Sequence, residues 1–563
     1  MARERTRVRW LTLEDLEQRC MLGAGTPPQP DSTGPRVIEN SPSGIVLLAV
    51  DHIDLTFSKP IDPATFNTAD ILSLVGPDGD IAPSGDPSPV DGSNTIFRVS
   101  FAAQQSPGQL SMRFGSDIRD AAGNAMDQDQ DGQNGEVADD EFVLTIQLVR
   151  TPTLIVPGIL GSLTPEIEFT GSIATHPFQL GRIRKQLRTF LLNRTAFDPR
   201  QLAPERLGKA YNEIIDRFEG QGFEFCKVHA DVAPEADPTC DRDADLFFAA
   251  YDWRQPVLLN PNDATQLLWD SDGVFESGVE YLDWWIDLAK AKWVERYGSA
   301  DGFAVDIVAH SMGGLVSRSY TEEADDAGLV AETVSHLVML GTPNHGSVAS
   351  FQFLKPGVRL FESVNLGCGS VAALVDAVLG AESTDSCLRA IIKEAMTARD
   401  KMLRQRRGTS QPLDIVPSLR DLQPTFAFFR PMDSEVREIP VTNFLLNRLN
   451  ATTDDLTGAT DVVLIGTDDR STPVSVDSVR ERSAFTRYRT VSSLRFQMKA
   501  IGDGRVVFDR IPSLDDPAGL VLASPEIAVL AVQNVAHGNL PRNDGVICLI
   551  FNELEIDPPA GCA

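Results

Sequence analysis

The run VDIVAHSMGGLVSRSY (305–320) constrains the fold more than any other stretch of the chain. VDIVA, apolar but for one aspartate, reads as a buried strand, and MGGLVSRSY reads as the start of a helix. Between them stands Ser311, in the pentapeptide Ala309-His310-Ser311-Met312-Gly313. A strand that passes straight into a helix must bend sharply, and small neighbours relieve the crowding at the bend. Alanine fills the first small position, and Gly313 and Gly314 fill the later ones. Such an elbow exposes one hydroxyl, which can then act as a nucleophile. A serine that merely caps a helix needs no apolar strand before it.

The surroundings extend the same pattern. TPTLIVPGILGS (151–162), DLFFAAYDWR (245–254), SHLVMLGTP (335–343) and VVLIGT (462–467) read as strands. YLDWWIDLAKAKWVERYG (281–298) reads as an amphipathic helix. Strands alternating with helices predict a mostly parallel sheet flanked by helices.

A serine nucleophile needs a base, and the chain has seven histidines. His52 belongs to an N-terminal β-rich segment, and His176 and His229 precede the elbow. The bend aims His310 away from Ser311, His336 falls in a strand, and His345 in the turn after it. On this fold the chain order is serine, acid, histidine, which leaves His537. The acid must lie between Ser311 and His537. Asp468 and Asp469 follow VVLIGT, but Asp503, flanked by glycines in AIGDGRVVFD, is preferred, with Asp469 the runner-up. An oxyanion would be held by backbone N–H groups, those of Met312 and of Ile159 in the early loop.

Five motifs carry a family resemblance: LIVPGILGS (154–162), DLFFAAYDWR, VAHSMGG, LGTPNHGS (340–347) and GDGRV (502–506). In order and spacing they resemble the lecithin:cholesterol acyltransferase-like branch of α/β-hydrolase lipases, across nearly all of 150–563. The resemblance implies an α/β-hydrolase domain and supports Ser311, Asp503 and His537. The ~110 residues between LVMLGTP and VVLIGT exceed any usual loop. This insertion, about 348–455, contains the apolar, helix-prone FQFLKPGVRLFESVNLGCGSVAALVDAVLGA. It reads either as a lid shaping a lipophilic acyl pocket or as a packed helical insertion with no gating role. Family loops often read GDGTVP, whereas here Arg505 replaces the threonine and no proline follows. Tyr251-Asp252-Trp253-Arg254 matches a family motif to which we assign an architectural part.

Residues 37–149 alternate short β-prone runs (IVLLAV, IDLTFS, TIFRVSF, LSMRFGS, EFVLTIQLV) with turn clusters, as an all-β sandwich does. IDLTFSKPIDPATF and DAAGNAMDQDQDG resemble bacterial Ig-like domains of surface-layer and adhesin proteins. Within them Asp127, Asp129, Asp131 and Gly132 form D-x-D-x-D-G, alternate carboxylates that can converge on calcium. The bidentate Glu of a complete EF-hand is missing, since Ala138 holds that position. The alternative is a solvated acidic hairpin without metal.

Residues 1–36 are expected to be a targeting segment and a Pro/Ser/Gly linker, LEDLEQRCMLGA being similar to LEPRxLL-type segments of bacterial surface proteins. Six of the seven cysteines fall into local pairs, Cys226 with Cys240, Cys368 with Cys387 and Cys548 with Cys562, which suits disulfides in an oxidising compartment. Six buried thiols are the alternative, and Cys368–Cys387 would staple the lid. With 50 basic and 80 acidic residues the net charge is −30, which disfavours nucleic acid as a partner. No stretch reaches the ~18 apolar residues of a transmembrane helix. The expectation is therefore a secreted or cell-surface serine hydrolase of lipid esters that needs no cofactor for catalysis. A lipid acyltransferase of the same fold, or a surface adhesion protein with an inactive hydrolase domain, are the alternatives.

Overall fold

The computed structural model of the chain describes residues 31–562 apart from 168–181, 205–209, 227–239, 260–273, 327–333, 354–358, 361–415, 452–455, 457–459, 483–489, 503–505, 508–526 and a few isolated positions. The targeting segment, the Cys368–Cys387 pair, Asp503 and most of the expected lid thus lie outside the described residues. The chain divides into two compact units between Val149 and Arg150.

The first unit is an all-β sandwich. One sheet orders the strands Val37–Ser41, Val50–Phe57, Ile96–Gln104 and Ser88–Pro89. The other orders Ile45–Leu47, Phe142–Val149, Gly108–Phe114, Ile71–Gly76 and Gly79–Asp80. Alternation puts Ile53, Leu55 and Phe57 inward while Asp54 and Thr56 face out. Phe57, Phe66, Phe97 and Phe114 meet in one cluster, with ring centroids 5.7–6.0 Å apart. The run IVLLAV, expected as one strand, is divided between the two sheets.

The second unit is built on a six-stranded sheet, every neighbouring pair parallel. Its strands are β1 (Thr153–Val156), β2 (Leu246–Phe248), β3 (Val305–His310), β4 (Val334–Leu340), β5 (Asp461–Thr467) and β6 (Ala528–Val532). Their spatial order is β2-β1-β3-β4-β5-β6. Leu154, Ile155, Ile307, Val308, Leu337 and Val338 are at most 1% exposed. Strands covered on both faces read as continuous apolar runs, which is why they are visible in the sequence. Helices α1 (Asn212–Gly220), α2 (Gly278–Tyr297), α3 (Met312–Asp326) and α4 (Asp544–Glu553) belong to this unit. Glu280 reaches back to the Ser277 N–H at 3.2 Å to start α2, and Gly298, at φ +79°, ends it.

A long antiparallel hairpin, Arg470–Arg482 with Thr490–Gly502, stands between β5 and β6. This hairpin was not expected: Arg470–Arg482 is mostly polar, although Leu494, Phe496, Met498 and Ala500 alternate with polar residues in the partner strand. Two of the three expected disulfides are present, Cys226–Cys240 and Cys548–Cys562, with Cα atoms 4.7 and 5.4 Å apart.

Candidate active site

β3 ends at His310 and α3 begins at Met312, so Ser311 alone makes the bend, at φ +56°. That left-handed conformation is uncommon for a residue with a Cβ. Two hydrogen bonds hold it: Ser311 N–H donates to the Leu340 carbonyl at 2.8 Å, and Gly314 N–H to the Ser311 carbonyl at 3.0 Å. Space is the other requirement. A Cβ on Gly313 would come within 2.4 Å of the Val156 carbonyl oxygen, so backbone, which cannot yield cheaply, excludes any side chain there.

The parallel sheet brings the other parts together at the carboxyl ends of its strands. β1 and β3 are neighbours in register, Val156 opposite Ala309, so the Pro157–Gly161 loop lies beside the elbow. A Cβ on Gly158 would stand 2.8 Å from Ser311 Cβ. Beyond β6 the chain turns through the short 3₁₀ helix His537–Arg542. It brings His537 Nε2 to 2.8 Å from Ser311 Oγ, across 226 residues of sequence. Both residues are buried, at 7% and 3% exposure.

The two expected oxyanion donors flank this pair. Met312 begins α3, so its N–H has no partner within the helix. Ile159 occupies a tight turn closed by Gly161 N–H donating to the Gly158 carbonyl at 2.9 Å, with Leu160 at φ +70°. Among the described residues neither amide has a hydrogen-bond acceptor.

Of the two candidate acids, Asp469 is exposed, and its oxygens accept the Asn534 N–H at 2.9 and 3.1 Å. It braces the turn that leads toward His537.

His310 has a part that its place in the sequence does not reveal. Its side chain points away from Ser311 but reaches the loop that carries His537. Nε2–H donates to the His537 carbonyl at 2.9 Å, and a carbonyl can only accept, which fixes the proton on Nε2. Nδ1 then accepts from the Tyr211 hydroxyl at 2.9 Å, and that hydroxyl oxygen accepts the Gly158 N–H at 2.8 Å. The chain Gly158–Tyr211–His310–His537 therefore ties the oxyanion-side loop to the histidine loop through buried groups. Tyr211 stands 100 residues before Ser311, and nothing in its local sequence marks it.

Two further motifs prove to be braces. In Asp252-Trp253-Arg254 the Arg254 guanidinium donates to Asp252 at 2.5 and 2.7 Å and to the Phe190 and Asn193 carbonyls, both at 2.7 Å. Trp253 Nε1–H donates to the Ser162 carbonyl at 2.9 Å. Behind the elbow, buried Arg318 on α3 binds Glu322 at 2.6 Å, Asn344, Asn450 and the Leu449 carbonyl. His345 accepts from Asn450 at Nδ1, and burial together with the Arg318 charge pushes its pKa down to about 4, so it is neutral.

In the sandwich, the acidic trio expected from sequence is divided. Asp127 gathers with Asp129 and Asp140, while Asp131 groups with Asp129 and Glu136. Asp131 is exposed and its oxygens accept the Gln133 backbone and side-chain N–H groups at 2.7 and 3.0 Å, because Gly132, at φ +87°, turns the chain there.

With this geometry in place, comparisons with known proteins add the class. Residues 286–408, which contain the elbow, match the family model of the PGAP1-like alpha/beta domain, and residues 31–134 match that of the bacterial Ig-like domain. The chain thus consists of a bacterial Ig-like domain followed by an α/β-hydrolase domain. Among solved structures, the Tle4–Tli4 complex aligns at 12% identity and TM-score 0.38, over 72% of this chain and 98% of that one. Bacillus licheniformis lipase BlEst2 in mature form aligns at 10% identity and TM-score 0.27, over 72% and 91%. CopC from Methylosinus trichosporium OB3b aligns at 12% identity and TM-score 0.16, over 21% and 94%. No curated protein sequence matches the chain significantly.

Proposed function

We propose that the chain is an exported serine hydrolase that cleaves carboxylic esters of lipids. The observation that carries this reading is the 2.8 Å approach of His537 Nε2 to Ser311 Oγ at a strained elbow. In it, His537 takes the Ser311 proton as Oγ attacks the ester carbonyl. The oxyanion is held by the Met312 and Ile159 N–H groups, which have no acceptor of their own among the described residues. Asp503, second in the chain order of serine, acid and histidine, orients the imidazole and stabilises its charged form. The leaving alcohol takes the proton from His537. Water, deprotonated by His537, then attacks the acyl-enzyme and releases the carboxylic acid and free Ser311.

The PGAP1-like match and the lipase-type motifs support an ester substrate with a lipid part. Export and surface association are supported by the Ig-like domain and the two disulfides, which suit an oxidising compartment. Among the described residues no helix is long and apolar enough to cross a membrane.

Hydrolysis of p-nitrophenyl esters from acetate to palmitate, by oxidised protein, is the test. Ser311→Ala is expected to lower kcat by about 10⁴-fold or more and to abolish labelling by a fluorophosphonate. An optimum at long acyl chains supports lipids. Turnover at no chain length would favour the adhesion protein instead, and transfer to an added alcohol in preference to water would favour the acyltransferase.

A further inference from the structure

The sandwich contains a second chemical feature, independent of the hydrolase site. The loop from Asp127 to Asp140 leaves the core and returns to it, and both its end residues are aspartates buried to 3% and 0% exposure. Buried carboxylates are ordinarily satisfied by hydrogen bonds or a counter-charge. Asp140 meets part of this demand: its Oδ1 accepts the Gln128 N–H at 2.7 Å and its Oδ2 the Glu136 N–H at 2.9 Å. Asp127 does not, because its Oδ1 is buried without a hydrogen-bond partner among the described residues.

That orphaned oxygen belongs to a converging set. Asp127, Asp129 and Asp140 each offer a carboxylate oxygen, all within 4.8 Å of one another. Among the described residues no lysine or arginine forms an ion pair with any of the three. Three carboxylates so close, two of them removed from water, repel strongly unless a cation lies among them.

We propose that Asp127, Asp129 and Asp140 bind one divalent cation, and that the cation is calcium. An all-oxygen, multiply anionic donor set suits a hard cation. A set of protein carboxylates without a dedicated octahedral cage suits calcium better than magnesium, which demands near-ideal octahedral geometry and keeps several waters. The loop starts like an EF-hand, with carboxylates at its first and third positions and glycine at its sixth. It closes differently: the final acid is Asp140, two residues beyond the position at which an EF-hand places its Glu, and Ala138 occupies that position. Asp131 points to Gln133 and is outside the first group.

Calorimetric titration of the full chain, stripped of divalent ions with a chelating resin, tests this. Calcium chloride is expected to bind at one site per chain, with magnesium chloride at least tenfold weaker, and 5 mM calcium is expected to raise a thermal transition. Asp140→Asn and Asp129→Asn are each expected to weaken calcium at least tenfold. Asp129 is exposed, so that variant keeps the fold if Asp140→Asn does not. Asp131→Asn is expected to change affinity less than threefold. Absence of binding heat and of any thermal shift at 10 mM calcium would overturn the proposal, as would calcium affinity unchanged in Asp129→Asn.

Discussion

Ser311 is strained, and its neighbours are chosen to tolerate the strain. The same economy shows in His310, whose proton position follows from the acceptor it faces. Because Tyr211 donates to His310 Nδ1 and accepts from Gly158, its hydroxyl serves two loops at once. Tyr211→Phe removes that hydroxyl and strands the buried Gly158 N–H, a loss of about 1–3 kcal/mol. We expect kcat to fall about tenfold with KM within threefold of the parent, since the loops it ties hold the oxyanion and the base. His310→Gln, which retains a donor for the His537 carbonyl, should keep more of kcat than His310→Ala. Steady-state kinetics on a soluble ester check both, and a KM effect without a kcat effect would remove Tyr211 from the positioning set. Ser311 and His537 were legible from the elbow and from the chain order. Tyr211 was not, because a hydrogen-bond partner 99 residues away leaves no local pattern.

At the scale of elements, the histidine turn depends on the helix that follows it. α4 starts directly after the 3₁₀ helix and is capped by Asn543, which accepts the Val546 N–H at 3.1 Å. It packs against α1 through Phe551 on Phe218, ring centroids 4.5 Å apart, and through Asp544 on Arg217 at 2.5 Å. Cys548–Cys562 ties the C-terminal tail to this helix across 14 residues. Closing a loop of that length restricts the unfolded chain by about 3 kcal/mol. The double variant Cys548→Ala/Cys562→Ala should therefore lose about that much in denaturant unfolding, and an unchanged midpoint would show that the bridge adds no stability. The strands of the parallel sheet were visible in the sequence as apolar runs. The hairpin 470–502 was not, since Arg470–Arg482 carries no apolar run and buries polar residues, Thr472 and Asp477, beside Val476.

For the whole molecule, buried acids set the direction of the pH dependence. Burial raises Asp421 to about 7, and Asp245 and Asp283 each to about 6, from an ordinary value of 3.8. A group whose pKa is raised by folding contributes stability that is complete below its unfolded pKa and lost as pH rises through its folded one. His336, raised first by its 2.7 Å hydrogen bond to buried Asp306 across β3 and β4, acts in the same sense above pH 6.5. The net charge of −30 adds self-repulsion as the carboxyls ionise. Buried His345, lowered to about 4, acts in the opposite sense up to pH 6.5, so thermal stability should decline between about pH 6.5 and 8. Asp421 Oδ2 accepts the Val257 N–H at 2.8 Å, a bond an asparagine can keep. Asp421→Asn should raise Tm at pH 8 while leaving it nearly unchanged at pH 4.5; an equal shift at both values would show that Asp421 does not titrate in this window. Local chemistry, written in consecutive residues, determined the two fold classes, the elbow, the candidate base and an acidic loop, because apolar runs, small residues at a bend and alternating carboxylates act over a few positions. Chain folding alone decided which distant groups meet: Tyr211 with His310, Arg318 with Asn344 and Asn450, and Asp140 with Asp127. Those contacts join residues 13 to 132 positions apart, and their energies depend on burial and direction, which no stretch of sequence contains.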